Sequence, residues 1–283
     1  MGEPRKDDLT GRETMGHEFD GIEELNTPMP RWWLITFYLT VIWGIGYTIA
    51  FPAWPMISGA TAGLLGYSTR GEVTQDIASH EAANANLVED LNAVNLAAFD
   101  PQSDLHRYAV ARGASVFRAQ CSQCHGSGAA GAKGYPNLLD NDWLWGGSLE
   151  EVAHSVRHGI RNETDDDAHW SQMPAFGEIR EATEIDTLVS FLPTLPDADW
   201  DSPGGALFAD NCASCHGDAG LGDRSQGAPN LADAIWLYGG DPDSLTQTIT
   251  YSRFGVMPAW GQRLTEVDVR AVSTYVHSLG GGE

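Results

Sequence analysis

From Trp32 to Phe51 the chain runs through twenty mostly apolar positions, and no charged residue occurs before Arg70. As a helix at ~1.5 Å per residue, that run is ~30 Å long, the thickness of a bilayer's hydrocarbon core. Trp32, Trp33 and Trp54 stand at its ends, where indoles favour the membrane interface, and Pro52 and Pro55 stop it. A cleaved signal peptide has a shorter apolar core near the N-terminus, whereas this one follows 31 residues of mixed charge. The pattern predicts a retained single-pass transmembrane helix at 32–51, preceded by an N-terminal segment, 1–31. Arg5, Lys6, Arg12 and Arg31 precede the span and only Arg70 follows it closely. The positive-inside bias then places the N-terminus in the cytoplasm and the rest of the chain across the membrane. Residues 56–69 are apolar but rich in Gly and Ala, and read as an interfacial loop. With the polar, Ala/Asn-rich stretch that follows, they form a connector, 52–103.

Beyond Pro101 the pattern repeats itself. Gly113-x-x-x-Phe117-x-x-x-Cys121-x-x-Cys124-His125-Gly126 recurs as Gly204-x-x-x-Phe208-x-x-x-Cys212-x-x-Cys215-His216-Gly217. Pro136-Asn137-Leu138 returns as Pro229-Asn230-Leu231, and Trp143-Leu144-Trp145-Gly146-Gly147 as Trp236-Leu237-Tyr238-Gly239-Gly240. Met173-Pro174-Ala175-Phe176-Gly177 returns as Met257-Pro258-Ala259-Trp260-Gly261. Each copy ends in apolar residues at helical spacing, Leu188, Phe191 and Leu192 in the first and Val272, Tyr275 and Val276 in the second. Two tandem copies of one small domain are expected, 104–195 and 202–283, with a Pro-rich joint between them.

Cys-x-x-Cys-His is the attachment pattern of c-type haem: two thiols form thioethers with the vinyl groups, and the adjacent His reaches the iron. A zinc site built from both pairs needs ~15–20 intervening residues, but 87 separate Cys124 from Cys212. A thioredoxin-like pair would follow a strand, and nothing upstream resembles a βαβ unit. Two covalently bound haem c groups are therefore expected, held by Cys121, Cys124 and His125 and by Cys212, Cys215 and His216.

Of six Met residues, only Met173 and Met257 lie in the repeats, 48 and 41 residues after their own His. Both occupy the same Met-Pro-Ala-aromatic-Gly setting, so each is expected to be the sixth iron ligand of its own copy. The metal ligands are then His125, Met173, His216 and Met257. A thioether opposite His raises the potential, as suits electron transfer. His169, four residues before Met173, is a rival ligand in the first copy. His154 and His158 lie in the same copy and, like His169, lack a counterpart in the second, which favours a polar-surface reading. Asp165, Asp166 and Asp167 read as a solvated loop, with ion binding as the alternative. Arg161 and Arg253 are candidates to pair with haem propionates, surface exposure being the competing reading.

Composition then narrows the function. The 283 residues carry 16 Lys+Arg and 39 Asp+Glu, for a formal charge of −23. That excess excludes a nucleic-acid binder, which needs a basic face. Most of it lies in the repeats, where it serves either a basic docking partner or solubility. All four Cys are consumed as thioethers on this reading, which implies assembly on the oxidising side of a membrane.

The segment Asp20-Gly21-Ile22-Glu23-Glu24-Leu25-Asn26-Thr27-Pro28-Met29-Pro30-Arg31-Trp32-Trp33, with the span and repeats after it, resembles the dihaem subunit III of cbb-type cytochrome c oxidases. The haem motifs are common to very many cytochromes; the stretch from Asp20 to Trp33 makes the likeness specific. The resemblance implies an all-α fold, one N-terminal transmembrane helix and two class-I-like cytochrome c domains in a bacterial inner membrane, with the haem domains periplasmic. It further implies that the chain takes electrons from a soluble or membrane-bound donor cytochrome. They would pass toward a monohaem cytochrome c subunit and a catalytic haem–copper subunit. With no His between Trp32 and Phe51, the chain is not expected to be an enzyme by itself. The competing readings are a free-standing dihaem cytochrome serving another redox enzyme and a dihaem peroxidase.

Overall fold

The computed structural model describes residues 3–282, so the first two positions of the N-terminal segment and the last of the second repeat lie outside the described residues. It divides into two compact units, Met1–Ala82 and Ala83–Glu283.

In the first unit, strands β1 (Thr14–Phe19) and β2 (Ile22–Leu25) pair antiparallel, an element the sequence reading did not anticipate. Asp20 (φ 50°) and Gly21 (φ 85°) form the two-residue turn, and Asp-Gly is the pair that tolerates two positive φ values. Helix α1 (Arg31–Ala50) is apolar all round and buries none of its residues, as expected of a helix whose solvent is lipid. Its Thr36, Thr40 and Thr48 hydroxyls donate to the carbonyls of Trp32, Phe37 and Ile45, so each threonine of the span satisfies its hydroxyl within the helix. The chain then folds back. The Leu64 and Leu65 amides donate to the carbonyls of Ile49 and Ala50, at 2.9 and 3.0 Å, which satisfies acceptors freed at the helix end. A two-residue hairpin, β3 (Pro55–Met56) with β4 (Gly59–Ala60), lies within that loop.

After α2 (Thr69–Ala83) and α3 (Ala85–Ala93), the second unit is built on α4 (Asp104–Val116), the short α5 (Ser122–His125), α6 (Leu149–His158) and α7 (Ala182–Phe191). The second repeat supplies the matching α8 (Pro203–Asn211), α9 (Ala213–His216), α10 (Pro242–Tyr251) and α11 (Glu266–His277). Ser103, Ser148, Ser202, Asp241 and Thr265 accept backbone amides at the starts of α4, α6, α8, α10 and α11, so each long helix of both repeats except α7 has a Ser, Thr or Asp cap.

The expectation that each repeat closes on itself is corrected by the packing. α11 lies on α4 and α6, while α7 lies on α8 and α10. One core joins Phe117, Val152 and Val156 of the first repeat to Val269, Val272 and Val276 of the second. The other joins Phe176, Ile185 and Leu188 of the first repeat to Phe208, Leu245 and Ile249 of the second. The repeats therefore exchange their C-terminal thirds. The physical reason lies in the joint. Two turns of 3₁₀ helix at Leu192–Asp197 and five further residues lead from α7 into α8, and Phe191, Trp200 and Phe208 pack ring against ring across them. Closing so short a loop costs little chain entropy, so α7 pairs with the next helix and α11 is left to complete the first core.

Candidate haem-binding sites

Both Cys-x-x-Cys-His segments form a single helical turn, ended by Gly126 and Gly217 at φ 78°. That left-handed conformation suits glycine, and it turns each chain sharply away from its His. In both sites the imidazole Nδ1 lies against a proline carbonyl: His125 to Pro136 at 3.0 Å and His216 to Pro229 at 2.9 Å. A carbonyl only accepts, so Nδ1 carries the proton and Nε2 keeps a free lone pair. Burial lowers the affinity of both rings for a second proton, more than the proline carbonyls raise it. A neutral, oriented imidazole with a free Nε2 is the ligand state that iron requires, and its partner carbonyl is the usual outer support. Burial, with the neighbouring Cys as a smaller cause, pushes the Cys121 and Cys212 thiols up to about 11. All four described cysteines are free thiols, two at each site. The donor set, two thiols and one tautomer-locked His on one turn, fits a covalently attached haem.

The exchange redistributes the methionines. Met257 packs against the core that holds Cys121, Leu138 and Trp143, and Met173 against the core that holds Cys212, Leu231 and Trp236. The packing thus sets each methionine beside the other repeat's first cysteine, where pairing of Met173 with His125 and Met257 with His216 had been expected. Sequence spacing could not show this, because the two Met loops are near copies. His169 sits in a cluster of rings. Its ring stacks on Trp145 at 4.4 Å and 11°, and lies 4.6 Å from the His154 ring.

Two Gly contacts repeat the exchange near the sites. A Cβ at Gly227 would strike the ring of Trp145, and one at Gly134 would lie 3.3 Å from the ring of Tyr238. Trp145 and Tyr238 are equivalent positions of the two repeats, and so are Gly134 and Gly227. Each repeat thus covers the other's loop with its second aromatic residue.

The separate surface readings of His154, His158 and His169 missed a cluster. His154 lies 4.6 Å from both other rings, and His158 Nδ1 lies 3.0 Å from an Asp165 carboxylate oxygen. Asp167 brings a second carboxylate within 4.8 Å of that pair. The spacing of His154 and His158 by four residues on one helix was the available signal; the return of the 161–169 loop was not legible. Arg253 spends its guanidinium on the Ser244 carbonyl and the Thr248 hydroxyl, over the Tyr238 ring at 4.8 Å.

Residues 11–58 match the family described as the N-terminal domain of cytochrome oxidase-cbb3, FixP. Residues 109–192 and 201–276 match cytochrome c oxidase, cbb3-type, subunit III. The cbb3-type cytochrome c oxidase subunit CcoP of Cereibacter sphaeroides is 55% identical over 95% of each chain. The subunit FixP of Sinorhizobium medicae is 48% identical over 98% of this chain and 97% of its own. The CcoP subunit of Rhodobacter capsulatus is 50% identical over 96% of each. Likeness of that extent, from the N-terminal hairpin through both repeats, shows that the chain belongs to the subunit III family of cbb3-type cytochrome c oxidases.

Proposed function

We propose that the chain carries two covalent c-type haems with exchanged methionine ligands. The first is attached to Cys121 and Cys124 and held by His125 and Met257, the second to Cys212 and Cys215 and held by His216 and Met173. The observation that carries this reading is the packing of each Met in the core of the other repeat's cysteines. A haem between His and Met passes single electrons, and the thioether favours its ferrous form. The chain's own residues bind, orient and shield: Pro136 and Pro229 fix the imidazoles, and the exchanged helices exclude water from the buried sides of the sites.

As a member of its family the chain is an electron-transfer subunit of a terminal oxidase, an oxidoreductase complex. The finer role is electron relay without bond-making chemistry of its own. Electrons would arrive from a soluble or membrane-bound cytochrome and leave toward the monohaem and haem–copper subunits. The lack of His along α1 supports placing the oxygen chemistry elsewhere. The basic residues before α1 support a cytoplasmic N-terminus and periplasmic haem domains in the bacterial inner membrane.

The test is a chain with Cys212 and Cys215 replaced by Ala, leaving one haem. Met257→Ala should abolish its sulfur-to-iron absorption band and Met173→Ala should leave the band in place. The opposite result would restore pairing within each repeat. Haem content of the unaltered chain, expected at two per polypeptide, tests the wider reading.

A further inference from the structure

Arg161 stands at the junction of both methionine loops. It ends the turn after α6 with φ 53°, a left-handed conformation that a side chain rarely adopts and that only firm surroundings maintain. Its backbone amide donates to the His169 carbonyl at 2.7 Å. Next to it, Ile160 and Met257 exchange two backbone hydrogen bonds, at 3.0 and 2.9 Å. The side chain then reaches both loops: Nε donates to the Ser171 carbonyl at 2.5 Å and Nη1 to the Gly255 carbonyl at 3.2 Å. Ser171 and Gly255 each lie two residues before a candidate ligand, Met173 and Met257.

The charge on this group lies over the Phe254 ring, 6.0 Å from the ring centre, and has no ion-pair partner among the described residues, in a chain of net charge −23. Asp165, four residues on, takes His158 instead. Burial disfavours the cation and only Tyr238 offsets this. Two of the five N–H donors are used on carbonyls, and the Nη2 edge has no acceptor among the described residues. A half-buried guanidinium in this state is suited to an anion that the polypeptide does not provide, and a planar carboxylate matches its fork.

We propose that Arg161 is a shared positioning residue for both haem centres. One guanidinium ties the two methionine loops together and presents its remaining N–H groups to a haem propionate. The proposal rests on the two-haem reading but not on which Met serves which haem, because Arg161 holds both loops in either case.

The test uses the full-length, haem-loaded chain in mild detergent. Arg161→Gln removes the charge and the fork; Arg161→Lys keeps the charge and removes the fork. Haem content, the sulfur-to-iron band and both midpoint potentials are measured, with Met173→Ala and Met257→Ala backgrounds isolating one Met-ligated haem each. Gln should weaken the band in both backgrounds and lower both potentials, giving a several-fold smaller reduced fraction at fixed potential. Lys should weaken both bands while holding the potentials nearer the unaltered protein. If Gln prevents haem loading, the paired weakening in Lys decides. A change confined to one haem, or none at either, overturns the proposal. Fewer than two haems in the unaltered chain overturns the reading beneath it.

Discussion

Gly113 of α4 crosses α11 so closely that the Ala271 carbonyl occupies the place where a Cβ would lie. A Cβ at the matching Gly204 of α8 would lie 2.6 Å from the Cβ of Phe191 in α7. The repeated Gly-x-x-x-Phe is thus the footprint of two helix crossings, each made with the other repeat's last helix. Gly113→Ala must separate α4 from α11, and overpacking of this kind costs ~1–3 kcal/mol, more than the helix-propensity gain of ~1 kcal/mol. Its thermal midpoint should fall clearly. Gly128→Ala, with nothing within 4 Å, should stay within ~0.5 kcal/mol of the unaltered chain.

The exchange itself can be measured as coupling between side chains. Phe117 is fully buried in one core with Val272, whereas Leu188 belongs to the other core. In a double-mutant cycle to Ala, Phe117 and Val272 should couple by ~0.5–3 kcal/mol, as residues in one cluster do. Phe117 and Leu188 should be additive to ~0.3–0.5 kcal/mol. Coupling of Phe117 to Leu188 would mean that the first repeat closes on itself. Phe117→Ala alone should cost ~3–5 kcal/mol, measured by thermal unfolding of the haem-loaded chain.

Most of the element content was legible because it rests on local signals. The uncharged run gave α1 to within one residue at each end, and the double Cys-x-x-Cys-His placed the two sites. The core faces at Leu188 and Val272 followed from helical spacing. Which faces meet was not legible, since Phe117 and Phe208 are offered two nearly identical partner helices. The deciding term is the short joint through Leu192–Asp197, a loop-entropy effect that no motif records. The Asp20-Gly21 hairpin was readable from its turn pair, but the membrane resemblance of the same segment drew the reading elsewhere. The His154, His158 and His169 cluster depends on the return of a loop, and only its helical pair was visible in advance.

A charge at the centre of α1 should release the first unit from the bilayer. Ile42 is exposed on a helix with no buried residue, so Ile42→Arg disturbs none of the chain's own packing. Such a residue at mid-helix costs ~2.5–3.5 kcal/mol on insertion scales. The variant should move measurably into the alkali-extracted fraction of isolated membranes, while Thr69→Arg, beyond the span, should remain with them.

Low pH should weaken the 154–169 region. Burial, reinforced by neighbouring basic groups, lowers the proton affinity of His154 and His169 below the ordinary imidazole range. His158 and Arg157 act against a charge on His154, and His154 and His158 against one on His169. Asp165 and Asp167 favour the cation on His154, and Glu151 favours it on His169, but burial is the largest cause for both rings. In the unfolded chain the same rings take protons near pH ~6.5. Just below that pH the unfolded state therefore binds more protons than the folded one, and stability must fall with pH until the folded values are also passed. Above it both states are neutral and the two rings contribute no slope. The thermal midpoint of the haem-loaded chain should thus decline as pH drops through this window. Combining His154→Gln with His169→Gln should flatten the decline. An unchanged slope in the double variant would assign the acid sensitivity to other groups.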